Sequence, residues 1–231
     1  MELKKRIDDI LNKFDLKMNE NNYHLYKTAL THSSYVNEKE PDAEDYQRLE
    51  FVGDAVLELA ITELIYKNTN LDEGNMSFLR QKLVKEDTIA KIAIDLGIDE
   101  LILIGLGEDR KRQSLLADVF ESVLGAIFLD QGYKTSLRVV RKLFFDLIKK
   151  CQNDITQIRD PKSLLYEYIQ TDSRNIMKFV TIRDQILPNN RHLFEVEVVI
   201  DDVVYGRGKG HSKSEAEQQA AKDALSKIAK T

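Results

Sequence analysis

Apolar positions recur at three- and four-residue intervals through most of the first 150 residues. HLYKTALTHSSY, MSFLRQKLVKEDTIAKIAIDLG and SLLADVFESVLGAIFLD all carry this period, and turn formers interrupt it at KEPDAED, NTNLDEGN, GLGEDRKRQ and DQGYKT. No segment here alternates with period two for long, so the pattern predicts a bundle of helices. One of them, YQRLEFVGDAVLELAI at residues 46–61, is apolar nearly all round yet contains Glu50, Asp54 and Glu58.

The period changes after KKCQNDITQIRDPKS. Asp160 ahead of Pro161 predicts an N-capped helix with proline at its first position, where the missing N–H costs nothing. KFVTIRDQ and LFEVEVVI then alternate: Phe194, Val196, Val198 and Ile200 share one face, and Glu195 and Glu197 point to the other. Asp201 and Asp202 signal a turn before a third strand, VVYGRGKG, and an alanine-rich helix closes the chain. The expected organisation is an all-α helical domain over 1–150, a linker at 151–159 and a small α+β domain, α-β-β-β-α, over 160–231.

Charge modifies this picture. The net charge of −5 argues against a generally basic nucleic-acid binder, but residues 160–231 hold 11 basic and 11 acidic side chains, so the front part carries the whole excess. That segregation suggests two jobs. The charged start MELKKRIDDI predicts no secretory leader, and no apolar run nears the ~20 residues needed to cross a bilayer. With Cys151 as the single cysteine, an internal disulfide and a cysteine metal cluster are both excluded, and a reducing, cytoplasmic setting is expected.

Glu50 and Asp54 lie four apart on one helix face, with Gln47 one turn earlier, and Asp118 and Glu121 lie three apart in a second apolar helix. A carboxylate in an apolar setting is costly unless it is paired or metal-bound. Arg48 and Arg80 are available for ion pairs; alternatively the four acids converge on a hard divalent cation, for which all-oxygen ligation suits Mg²⁺ or Mn²⁺ better than zinc. None of His24, His32, His192 and His211 sits in a Glu-x-x-His motif, which sets aside a di-iron carboxylate bundle. Gly53 and Gly125 stand mid-helix, at about 1 kcal/mol each relative to alanine, and predict that the two acidic helices cross closely there.

RLEFVGDAVLEL closely resembles the signature of the ribonuclease III family, and THSSY, DEGNMSFLRQKLV and SLLADVFESVLGAIFLDQGY fit the same family in the same order. The resemblance implies a Mg²⁺-dependent endonuclease of double-stranded RNA, with Mn²⁺ able to substitute. It further implies a homodimer that cuts both strands to leave short 3′ overhangs, acting on ribosomal precursor and messenger RNA. Carried over by position, Glu50, Asp54, Asp118 and Glu121 are metal-binding, Asp54 and Glu121 are the catalytic positions, and Glu73 is an accessory acid. Phe51 becomes a candidate for the dimer interface, with a core position as the alternative, and Glu58 is expected to face solvent or an ion-pair partner. The chain departs from the family at Gln47, where glutamate is usual, and in the shorter loop GEDRKRQS.

The rear part resembles the double-stranded-RNA-binding domain that follows the nuclease domain in bacterial members. Arg207, Lys209 and Lys213 stand without an acid in YGRGKGHSK, and Ser212 with Glu215 forms a capping-box pattern. The resemblance places RNA contacts at Ser163, Glu167 and Gln170, at His192, and at Lys209 and Lys213. Ser214 stands where a second lysine is common, and Tyr166 where glutamine is frequent. Two competing readings are a non-cleaving double-stranded-RNA-binding regulator and a helical adaptor whose acids form salt bridges.

Overall fold

The computed structural model describes residues 2–153, 159–171, 176–187 and 191–228, divided into two units, Met1–Asn153 and Asp154–Thr231. Among its described residues the first unit consists of helices α1 (Glu2–Asn12), α2 (Tyr23–Ala29), α3 (Ser33–Lys39), α4 (Gln47–Asn68), α5 (Glu73–Leu83), α6 (Glu86–Leu96), α7 (Gln113–Gln131) and α8 (Tyr133–Asn153), plus one 3₁₀ turn at Glu20–Asn22. The helix ends follow local chemistry. Asp72 caps α5 by accepting the Asn75 N–H at 2.8 Å, and Gly97 ends α6 in the left-handed region.

Two stretches that look continuous by period are in fact broken. MSFLRQKLVKEDTIAKIAIDLG divides into α5 and α6, because Lys85 takes an extended backbone (ψ 140°). The break lets Leu79 and Leu83 of one helix and Ile89, Ala90 and Ala93 of the next all reach the core. HLYKTALTHSSY breaks at Thr31, which forms an isolated parallel bridge with Leu103. There the His32 N–H donates to the Leu103 carbonyl at 2.9 Å and the Leu103 N–H to that of Leu30 at 2.7 Å.

Helix α7 is the hub. It is buried on most of its circumference, through Leu115, Leu116, Val119, Phe120, Leu124 and Ile127, and packs against α2, α4, α6 and α8. Helix α4 buries one stripe only: Leu49, Gly53, Val56, Leu57, Ala60, Ile61, Leu64 and Ile65. Its other apolar residues stand in solvent, with Phe51 81 %, Leu59 56 % and Tyr66 73 % exposed. The carboxylates therefore do not lie inside an apolar sheath. Asp54 and Glu58 are exposed and Glu50 is half-buried, which corrects the impression that the helix sequence gives.

The second unit holds α9 (Pro161–Thr171), strands β1 (Met177–Leu187), β2 (Arg191–Ile200) and β3 (Val203–Gly210), and α10 (Lys213–Ile228). The strands form an antiparallel sheet in the order β1-β2-β3. Asp160 caps α9 by accepting the Ser163 N–H at 2.9 Å, and Asp201 and Asp202 turn the chain at positive φ (49° and 65°). Strand alternation carries Val196, Val198 and Ile200 into a core with Leu165, Ile169, Ala216, Ala220, Ala221 and Ala224. At α10 the Glu215 N–H donates to Ser212 Oγ at 3.1 Å, but the Glu215 carboxylate receives the His211 N–H instead of that of Ser212. The reciprocal half of the capping box is thus displaced by one residue. Among the described residues no helix is long and apolar enough to cross a membrane.

Candidate active site and RNA interface

Helices α4 and α7 touch backbone to backbone. A Cβ on Gly53 would lie 1.7 Å from the Glu121 carbonyl oxygen, and one on Gly125 would lie 2.2 Å from that of Leu49. Only glycine fits either position, and the crossing brings Glu50 and Asp54 of α4 together with Asp118 and Glu121 of α7.

Their electrostatics record that proximity. Burial, followed by the charges of Asp54, Asp118, Glu50 and Glu58, pushes the Glu121 carboxyl up to about 8. Glu50 is also raised, first by burial and then by Asp118, Asp54 and Asp45. Burial raises Asp118, while hydrogen bonding from Tyr46 and the nearby Arg112 and His32 pull it back down. The available arginines are engaged elsewhere: Arg48 with Glu44 at 3.3 Å, and Arg80 with the Thr62 hydroxyl at 3.3 Å. Among the described residues none of the four acids has an ion-pair partner, so the salt-bridge alternative for these acids does not hold. Nor do any three His, Cys, Asp or Glu side chains among the described residues form a preassembled metal-binding group. The arrangement is a cluster of mutually repelling carboxylates, not a closed cage.

Gln47 is the exposed first residue of α4. Glu73, the exposed first residue of α5, accepts the Ser77 hydroxyl at 3.1 Å and is not among the charges acting on Glu50, Asp118 or Glu121. The structure adds a residue that the motif spacing does not reveal: the Tyr46 hydroxyl donates to Asp118 Oδ2 at 3.1 Å. The two are separated by 72 positions, so no local pattern points to the pair.

In the second unit, Ser163 serves the α9 cap, donating both its N–H and its hydroxyl to Asp160. Glu167 pairs with Arg159, and the Gln170 side chain lies outside the described residues. His192 stacks on Phe194 with centroids 5.5 Å apart and contacts Asp184 through Nδ1 at 2.8 Å. At the start of α10, Lys213 lies over the same Phe194 ring at 5.9 Å, and His211 Nδ1 lies 3.2 Å from the His192 carbonyl. His192, His211 and Lys213 therefore gather around Phe194. Lys209 does not belong to that cluster. It sits on the sheet face opposite the helices and pairs with Glu195 at 2.7 Å, as Arg207 pairs with Glu197 at 2.8 Å.

The chain thus joins a helical domain with clustered carboxylates to an α-β-β-β-α domain. Comparison with known proteins agrees with both halves. Residues 22–148 match the family model described as Ribonuclease-III-like, and residues 161–228 match the double-stranded RNA binding motif. Ribonuclease 3 of Bacillus licheniformis is 42 % identical over 215 residues, covering 90 % of this chain and 85 % of that protein. Ribonuclease 3 of Lactobacillus acidophilus is 39 % identical over 230 residues, covering 97 % and 98 %. Among solved structures, the nuclease domain of ribonuclease III from Campylobacter jejuni superposes with a TM-score of 0.52 at 34 % identity, over 60 % of this chain and 98 % of that one. The chain belongs to the ribonuclease III family and is an endoribonuclease acting on double-stranded RNA.

Proposed function

We propose that the protein is a homodimeric, divalent-metal-dependent endonuclease, in which residues 1–150 cut, residues 160–231 hold the duplex and residues 151–159 tether the two. Glu50, Asp54, Asp118 and Glu121 would hold the metal, with Asp54 and Glu121 closest to the chemistry. The observation that carries this reading is geometric: the close α4–α7 crossing at Gly53 and Gly125 gathers four carboxylates, none of them ion-paired among the described residues. The donor set is all oxygen and strongly negative, which fits a hard cation such as Mg²⁺, with Mn²⁺ able to replace it. Such a cation supplies Lewis acidity and positive charge against the phosphate. The exposed Asp54 is open to substrate, and Glu121 would give up its proton on ligating a cation, whose charge offsets its acidic neighbours. Glu73 is an accessory acid outside the cluster. Structured ribosomal precursor and messenger RNA in the cytoplasm are the proposed substrates.

The test is cleavage of an end-labelled perfect RNA duplex with Mg²⁺, and with Ca²⁺ in its place. Cutting with Mg²⁺ and not with Ca²⁺ is expected. Binding without cutting under both metals would instead make the protein a double-stranded-RNA-binding regulator.

The dimer reading rests on α4. Phe51, Leu59 and Tyr66 form an apolar stripe in solvent, and Tyr66 also lines a hollow of about 170 Å³ with Thr62, Ile65, Met76 and Arg80. A protruding ring and a hollow on one face suit a two-fold, self-complementary contact. The Campylobacter jejuni nuclease domain is itself described with a region involved in dimer formation. Two such sites on one duplex would cut both strands and leave short 3′ overhangs. Phe51→Asp should raise the dimer dissociation constant by about 30-fold or more, the loss of one anchoring side chain. Sedimentation equilibrium at micromolar concentration should then show monomer.

For the duplex-holding unit we assign contacts to Ser163, Glu167 and Gln170 of α9, to His192, and to Lys209 and Lys213. Lys213, beside the N-terminus of α10, is the strongest phosphate partner among them. Lys213→Ala should weaken duplex binding uniformly across sequences and make the log–log salt dependence shallower by about one unit. Filter binding at several ionic strengths measures both effects.

A further inference from the structure

Asp118 is held from outside its own helix. Tyr46, 5 % exposed, donates its hydroxyl to Asp118 Oδ2, and four further contacts fix the tyrosine itself. Its N–H donates to the Thr31 carbonyl at 2.9 Å. Its carbonyl accepts the N–H groups of Leu49 and Glu50, at 3.0 and 2.9 Å, so it also starts α4. Its ring packs against that of His32 with centroids 5.8 Å apart.

His32 is fixed in turn. Its Nδ1 accepts the Ser34 N–H at 3.2 Å. The Ser34 hydroxyl oxygen accepts the Gly105 N–H at 2.9 Å, and the His32 N–H is bonded to Leu103. The strut therefore runs from the bridge at Thr31 and Leu103, through His32 and Tyr46, to one oxygen of Asp118.

We propose that Tyr46, backed by His32, is a positioning residue that fixes the Asp118 carboxylate by one oxygen and leaves the other free to ligate a divalent cation. This rests on the metal-dependent reading given above. The choice of donor matters. An arginine in the same place would neutralise Asp118 and compete with a cation, whereas a phenol orients the carboxylate and leaves its charge intact. Among the charged and titratable groups that face Asp118, Arg112 and His32 stabilise its charge, and Glu86, Glu50 and Glu121 oppose it. Tyr46 is the neutral one, and it makes the direct bond.

The experiment compares full-length wild type, Tyr46→Phe, Asp118→Asn and the double variant. Mn²⁺ binding without RNA is followed by electron paramagnetic resonance, and kcat and KM on a duplex are followed across a Mn²⁺ titration. Tyr46→Phe should weaken Mn²⁺ binding by about 10-fold or more, the usual effect of losing a group that orients a ligand. Its kcat should fall at low Mn²⁺ and recover at high Mn²⁺, with KM for the duplex unchanged. In the Asp118→Asn background the same change should add nothing. Wild-type Mn²⁺ affinity in Tyr46→Phe, or full additivity with Asp118→Asn, overturns the proposal and leaves Tyr46 a core residue. A wild type that neither binds Mn²⁺ nor cuts overturns the metal reading, and the positioning role with it.

Discussion

Glu121→Gln should abolish cleavage while sparing duplex binding. The substitution keeps the shape of the side chain but removes one negative charge and one anionic oxygen from the cluster, so the rate should fall by at least ~10²-fold, the scale for losing a single group that stabilises charge in a transition state. Binding should survive because the basic groups around Phe194 lie in the other unit. The same variant should be more stable than wild type without metal. The Glu121 carboxyl is raised to about 8 from an ordinary 4.5, so the folded state keeps a proton that the unfolded chain releases between those values. The stability this gives is present below about 4.5 and is lost as pH climbs toward 8. Glutamine never titrates, so metal-free Glu121→Gln should exceed wild type near pH 8 by on the order of 1 kcal/mol after solvent screening. The difference should close below pH 4.5. Paired cleavage assays and urea unfolding across pH, both with chelator controls, measure the two effects in one protein. Gain of stability with loss of activity marks carboxylates held against their own repulsion for a purpose.

The helical domain and the α-β-β-β-α domain were legible because both periods are local: 3.6 residues through α7, and two through Phe194 to Ile200. The acidic pairs were legible for the same reason, since spacings of three and four place side chains on one helix face. Burial was not. Phe51 and Leu57 belong to the same apolar run, yet one stands in solvent and the other is fully buried, and what separates them is the packing of α7 on one side of α4. The bond from Tyr46 to Asp118 joins positions too distant for any pattern to pair. The sheet face that Lys209 takes was legible as well. Gly206, Gly208 and Gly210 alternate and are buried, so Arg207 and Lys209 between them must point to the other face of the sheet.

Gly53→Ala should damage the protein more than any other single methyl group. In an exposed helix the change would stabilise by about 1 kcal/mol. Here the added carbon would lie 1.7 Å from the Glu121 carbonyl oxygen and 2.5 Å from its carbon, and both are backbone atoms of a helix enclosed by α2, α4, α6 and α8. No rotamer can relieve that contact, so α4 and α7 must separate. Overpacking of a rigid core costs about 1–3 kcal/mol and sometimes more, and a backbone-to-backbone clash belongs at the upper end. With about 2–4 °C per kcal/mol for a domain of this size, the melting temperature should drop by roughly 6–12 °C. The consequence for the site is sharper, because the atom that is struck belongs to Glu121. Separating the helices moves Glu121 and Asp118 away from Glu50 and Asp54, so activity should fall further than the loss of folded protein accounts for. Circular dichroism melts beside kcat, measured well below the melting temperature, distinguish the two losses. If kcat tracked only the folded fraction, the close crossing would serve packing alone. A kcat depressed in fully folded protein would tie the glycine contact to the geometry of the four carboxylates.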